Sequence, residues 1–195
     1  MAQRPPKDIT PKRFFEEWLP EQLTGAGGFK PMTIRVRLDG PDGGAWDLRV
    51  SEAGLKVGAG GAAEPEVTVA QTVQDWRAIA VGEAGAVDLA PPQSSPTDIL
   101  FLDKQAQSVL GQVKGTVRFE VTGYNGRTWQ LTVKFGDAAW TAAPDATISV
   151  DAETYGQILA RSLPPPQAYF QGKVRLSGDM NLAMQLGMAM MPRFQ

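Results

Sequence analysis

The sequence predicts an α+β protein made of two tandem units, each a largely antiparallel sheet of about five strands covered by helices. Three observations carry this expectation. Gly and Pro supply 21 and 15 of the 195 residues, a share that favours many turns over long helices. The segment Thr33–Val50 (TIRVRLDGPDGGAWDLRV) returns 83 residues later as Thr116–Val133 (TVRFEVTGYNGRTWQLTV), identical at seven of 18 positions without a gap. In each copy strands come first and helices afterwards, an order that argues against strict βαβ alternation.

The elements follow in chain order. Thr10 is placed to cap a helix with Pro11 at its first position and Phe14, Phe15, Trp18 and Leu19 as its apolar face. The first hairpin turns at Pro41-Asp42-Gly43-Gly44, and its counterpart turns at Tyr124-Asn125-Gly126-Arg127. Asp-Gly and Asn-Gly supply the positive φ angles of tight hairpins. Pro65–Ala70 matches Pro144–Ser149 as a short strand, and a helix follows each: Val73–Ala80 capped by Thr72, and Ala152–Leu159 capped by Asp151. Trp76 matches Tyr155, and Ile79 matches Ile158. Gly85–Leu89 then matches Gly172–Leu176 as one more strand. A helix from Thr97 to about Leu110 and another from Asp179 to Met191 complete the reading. The Pro- and Ser-rich stretch Pro91–Pro96 is the natural linker, which divides the chain into residues 1–93 and 94–195.

Composition excludes much chemistry. The chain has no His and no Cys, so it has no imidazole or thiolate for catalysis, metal ligation, disulfides or iron–sulfur clusters. No cofactor is expected. A net charge of −2 and a pI near 5.2 leave no basic excess for nucleic acid. The N-terminus lacks the apolar core of a signal peptide, and no apolar run is long enough to span a bilayer. A cytoplasmic protein without stable membrane insertion is the expectation.

Candidate sites are few. Asp137, Asp145, Asp151 and Asp179 sit at turns or helix starts, where capping explains them. Asp39 and Asp42 lack the further ligands of a calcium loop. The Gly runs at 25–28 and 58–61 lack dinucleotide-binding spacing and read as loops. Tyr169 and Phe170, after Pro164-Pro165-Pro166, read as a rigid turn carrying core aromatics. The last helix holds five of the seven methionines. Met180, Met184 and Met188 form one stripe, and Leu182, Leu186 and Met190 the next. Such a helix is buried or covers something apolar. An ordinary core helix and a ligand-contacting wall both satisfy the pattern.

Five blocks of the second copy resemble the sterol carrier protein 2 family of lipid-binding domains: Gly115–Val121 (GTVRFEV), Gly126–Val133 (GRTWQLTV), Pro144–Val150 (PDATISV), Gln167–Lys173 (QAYFQGK) and Val174–Leu186 (VRLSGDMNLAMQL). The first copy looks like a divergent relative that keeps the hairpin and the Pro-acid strand. The resemblance implies a five-stranded sheet and a hydrophobic tunnel beneath helices, closed by the C-terminal helix. It implies non-enzymatic binding or transfer of a fatty acid, acyl-CoA, sterol or phospholipid. The lining carried over is Phe170, Met180, Leu182, Ala183, Leu186 and Met190, with Phe119, Trp129 and Ile158 contributed by sheet and helix. The alternative is a protein-interaction scaffold whose cavity is filled by its own side chains. A homodimer or protein partner stays open.

Overall fold

The structure, a computed structural model, describes residues 4–23, 30–61, 64–90, 113–141 and 143–190, with side chains to Leu186. The linker 91–96, the expected helix 97–110 and the Gly run 25–28 lie outside these residues.

The strands are β1 Met32–Asp39, β2 Gly44–Ser51, β3 Gly54–Ala59, β4 Val67–Thr72, β5 Gly115–Tyr124, β6 Arg127–Phe135, β7 Ala146–Asp151 and β8 Val174–Gly178. All eight join one sheet in the order β3-β2-β1-β4-β6-β5-β7-β8. The pairs β1/β4 and β5/β7 are parallel and the rest antiparallel. The expectation of two largely antiparallel five-stranded sheets is therefore corrected to one mixed sheet with four strands from each copy.

The reason lies at the seam. The first copy's expected strand Gly85–Leu89 is outside the sheet, and β6 pairs with β4 instead, Val67 opposite Phe135 and Val69 opposite Val133. Residues 85–89 lie instead where Leu89 O accepts from the Tyr155 hydroxyl at 2.8 Å. In the second copy residues 137–141, which correspond to β3 at the same offset of 83, form no strand. The place that β3 takes beside β2 is taken beside β6 by β4. Each copy thus supplies the strand the other lacks. Gly58 of the expected Gly-run loop belongs to β3.

The helices are α1 Pro11–Arg13, continuing through a π-helical turn Phe14–Trp18 into α2 Leu19–Gln22, then α3 Val73–Ala80, α4 Ala152–Leu159, α5 Pro165–Phe170 and α6 Met180–Met190. The expected caps are present. Thr10 accepts from the Arg13 backbone N–H, Thr72 from Asp75 and Asp151 from Thr154. The last two are the same device with its parts exchanged. In α3 a Thr caps and an Asp stands three residues on; in α4 an Asp caps and a Thr stands three residues on.

A further clamp recurs with a Glu in one copy and an Asp in the other. Glu66 accepts from Thr33 N at 2.7 Å, and Asp145 accepts from Thr116 N at 2.7 Å. In both copies the acid after the Pro thus satisfies the backbone at the start of the first strand. Alternation in the strands puts Ile34, Val36, Leu48, Val67, Val69, Val117 and Val133 in one buried core, and the helices pack on that face.

Candidate functional site

The two copies cover the same sheet positions differently. In the first, Val36 pairs with Trp46 and Val69, and all three are buried. Aromatic rings fill the space above them. Phe15 stacks on Trp46 with centroids 4.8 Å apart, Phe14 stacks on Trp18 at 5.1 Å, and Trp76 meets Phe14 edge-on at 5.3 Å. Trp46 donates its indole N–H to Glu16 Oε1 at 3.1 Å, so the helix and the sheet are bonded through the cluster. Offset stacks and edge-on pairs of this kind pack without a gap between the rings.

In the second copy Phe119 takes the place of Val36, and Ile148 that of Val69. Phe119 pairs with Ile148, and Ile148 with Leu176, giving one apolar row across β5, β7 and β8. Phe119, Ile148, Val150 and Leu176 are only half-buried. The neighbouring row is closed: Val117 and Ala146 are buried beneath α6. α6 packs on β5, β7 and β8, and α4 packs on β5 and β7. The half-covered row lies on the sheet beneath these helices.

A glycine sets how close α6 comes. Gly115 stands where the first copy has Met32, at φ +131°, and a Cβ there would lie 2.7 Å from Leu182 Cδ2. Asp179 holds the start of the helix, accepting from Asn181 N at 2.9 Å and Leu182 N at 3.1 Å. The helix turns its Leu stripe inward. Leu182, Ala183 and Leu186 are buried, whereas Met180 and Met184 are exposed. The side chain of Met190 lies outside the described residues.

The other expected lining residues fall in several places. Trp129 is buried, but its indole N–H donates to Asp75 O of α3 at 2.8 Å, tying it to the first copy. Ile158 belongs to a separate cluster with Leu163 and Ala168, against Val150 and Val174. Phe170 is 85% exposed and Tyr169 also faces solvent, so the expected turn of core aromatics is a short helix with its rings outside. The reason is that α5 has its small residue Ala168 on the inner side. Ile148, Val150 and Leu176 escaped the sequence reading. Period-two alternation from Ala146 and Val174 was the signal that places them on the core side.

A polar latch joins the copies beside this site. Arg127, in the second hairpin, pairs with Asp75 and Glu83 of the first copy, the latter at 2.6 Å. Asn125 donates to Glu83 at 3.0 Å. Burial alone would raise the Glu83 carboxyl, but Asn125 and Arg127 hold it below its ordinary value. The first copy's 85–89 segment lies over α4. Tyr155 donates to Leu89 O at 2.8 Å, and Val87 Cγ2 lies 2.9 Å from where a Cβ on Gly156 would be. Burial, and then the Glu83 charge, push the Tyr124 phenol up to about 12. Burial likewise raises Tyr155, so both phenols are neutral near pH 7. Among the described residues no group of three acidic, His or Cys side chains could hold a metal, and no helix is long and apolar enough to cross a membrane.

Comparison with known proteins gives the following. A hydroxysteroid dehydrogenase-like protein 2 of Xenopus laevis is 24% identical over 131 residues, covering 63% of this chain and 31% of the relative. A peroxisomal multifunctional enzyme A of Dictyostelium discoideum is 34% identical over 73 residues, covering 35% of this chain and 17% of the relative. The chain therefore spans about a third or less of these relatives' lengths. A solved sterol carrier protein domain 2 of Helicoverpa armigera is 25% identical, covers 45% of this chain and 74% of that one, and superposes with a TM-score of 0.35. The model of the SCP-2 sterol transfer family matches twice, over residues 12–90 and 97–191. The internal repeat, the two acid clamps and this double match agree: the chain belongs to the SCP-2 sterol transfer family and carries two copies of its domain.

Proposed function

We propose that the second copy binds a lipid or other acyl-chain ligand without catalysing a reaction on it, and that the first copy is a filled, structural unit. The observation that carries this is the burial contrast along one sheet row. Val36 and Val69 are buried under stacked aromatics, whereas Phe119, Ile148 and Leu176 are half-covered. Family membership supports lipid binding or transfer in general. The half-covered row, with Leu182, Ala183 and Leu186 as its helical wall, supplies a place for the ligand. Met180 and Phe170 then stand at the rim rather than in the lining.

Binding would draw on about 25 cal/mol for each Å² of apolar ligand surface removed from water, less the cost of ordering ligand and protein. Such a wall selects size and flexibility more than chemical identity. The scaffold reading keeps one specific support, the aromatic cluster of the first copy, and is assigned to that copy alone.

Native mass spectrometry of the purified protein tests the assignment, paired with titration of a fluorescent fatty acid. Co-purifying lipid and saturable binding are expected. Ile148→Trp, which fills the middle of the row, should weaken binding about tenfold or more, and Met184→Glu, on the outer side of α6, should not. Equal binding by native protein and Ile148→Trp would reject the site.

A further inference from the structure

We propose that α5 and the turn after it form a docking edge for an anionic lipid surface. Four of the five exposed large hydrophobic residues among those described, Tyr169, Phe170, Met180 and Met184, lie on α5 and α6. Phe170 is the most exposed of them, and it is held out rather than left loose. Pro164, Pro165 and Pro166 fix the backbone entering the helix. At its end Gln171, Gly172 and Lys173 donate back to Gln167, Tyr169 and Ala168 at 2.9–3.0 Å, with Gly172 in the left-handed region at φ +69°. Ala168 is fully buried against Ile158 and Leu163. The helix is thereby anchored by its smallest apolar residue and presents its largest to solvent.

Charge names the occupant. From residue 160 to residue 178 the chain carries Arg161, Lys173 and Arg175 and no Asp or Glu, although its net charge is −2. All three cations are exposed. Exposed aromatic rings on a segment whose only charges are cations fit a bilayer interface, with the rings at headgroup depth and the cations toward anionic lipid. α5 and α6 both pack on β8, so this edge borders the Phe119–Ile148–Leu176 row. Docking here would bring that row beside the acyl chains of the bilayer. The proposal does not depend on the ligand-binding reading, because vesicle binding is measured with no added ligand.

The test is flotation of the full chain with vesicles of phosphatidylcholine alone and of phosphatidylcholine with about one-third phosphatidylglycerol. Binding to the anionic vesicles only, released by raised salt, is expected. Phe170→Ser should weaken it about tenfold. Lys173→Glu, which changes two units of charge, should weaken it about twentyfold. Arg49→Glu, at an exposed position of β2 near the other end of the sheet, should leave it unchanged. No binding to either vesicle, equal binding to both, or an Arg49→Glu loss as large as that of Lys173→Glu would overturn the proposal. The first of these outcomes, joined to normal fatty-acid binding, would leave the reading of the site standing and point the edge toward a protein.

Discussion

The first copy covers its sheet with rings, and the second covers part of its own with a helix resting on a glycine. Phe15 lies on Trp46, which pairs with the buried Val36. In the second copy Trp129 matches Trp46, but its indole bonds Asp75 of the neighbouring copy, and no Phe15 counterpart lies within the described residues. Gly115 replaces Met32, which lets Leu182 of α6 come down onto β5. Among the described residues, the same sheet row is therefore packed under rings in one copy and half-covered in the other.

The largest effect should come from emptying the packed copy. Phe15→Ala removes a fully buried ring from the aromatic cluster and should cost about 3–5 kcal/mol of stability, measured by urea unfolding. A cost below about 1 kcal/mol would mean that the first interior is loose and would dissolve the contrast.

Cutting the link between copies ranks second. Arg127→Met leaves the nearly buried Asp75 carboxylate without its cation. Because Arg127 is about a quarter exposed, the cost should be about 2 kcal/mol rather than the full value of a buried pair. Asp75→Asn in the same chain should recover part of it. The latch also sets an acid dependence. The Glu83 carboxyl is depressed in the folded protein, so its contribution is complete above the ordinary carboxylate value and is lost as pH falls through the lowered one. The native protein should lose stability across that acid window more steeply than Glu83→Gln, as read from thermal unfolding against pH.

The smallest change is Gly115→Ala. Its Cβ would meet Leu182 and would sit at a strained φ, so a loss of about 1–2 kcal/mol is expected. Fatty-acid affinity should shift with it, because α6 must lift from the row. Unchanged affinity at that loss of stability would place the ligand away from α6.

The sequence made local devices legible and left non-local ones hidden. The caps at Thr10, Thr72 and Asp151 and the Asn125-Gly126 turn appear at their expected residues, and the first turn falls one residue early, from Gly40 to Gly43. Each is decided within a few residues by backbone hydrogen bonds and φ preferences. The seam was hidden, because the pairing of Val67 with Phe135 depends on two distant segments leaving the sheet. The orientation of α6 was hidden for another reason. Met and Leu are both apolar, so periodicity showed two stripes and could not choose between them. The choice follows from the Leu182–Gly115 contact, a matter of shape between remote residues. Phe170 resisted prediction because its exposure breaks the rule that places aromatics inside.

The seam at β4 and β6 also bears on how the molecule comes apart. A sheet edge left bare invites pairing with whatever strand is near. A separated first copy would bare β4, and a separated second copy would bare β6. The two halves are in this sense lock and key to one another, and their melting should be a shared event rather than two independent ones. A cut within residues 91–96 would leave fragments that seek each other out, because the partner each lacks is the other half.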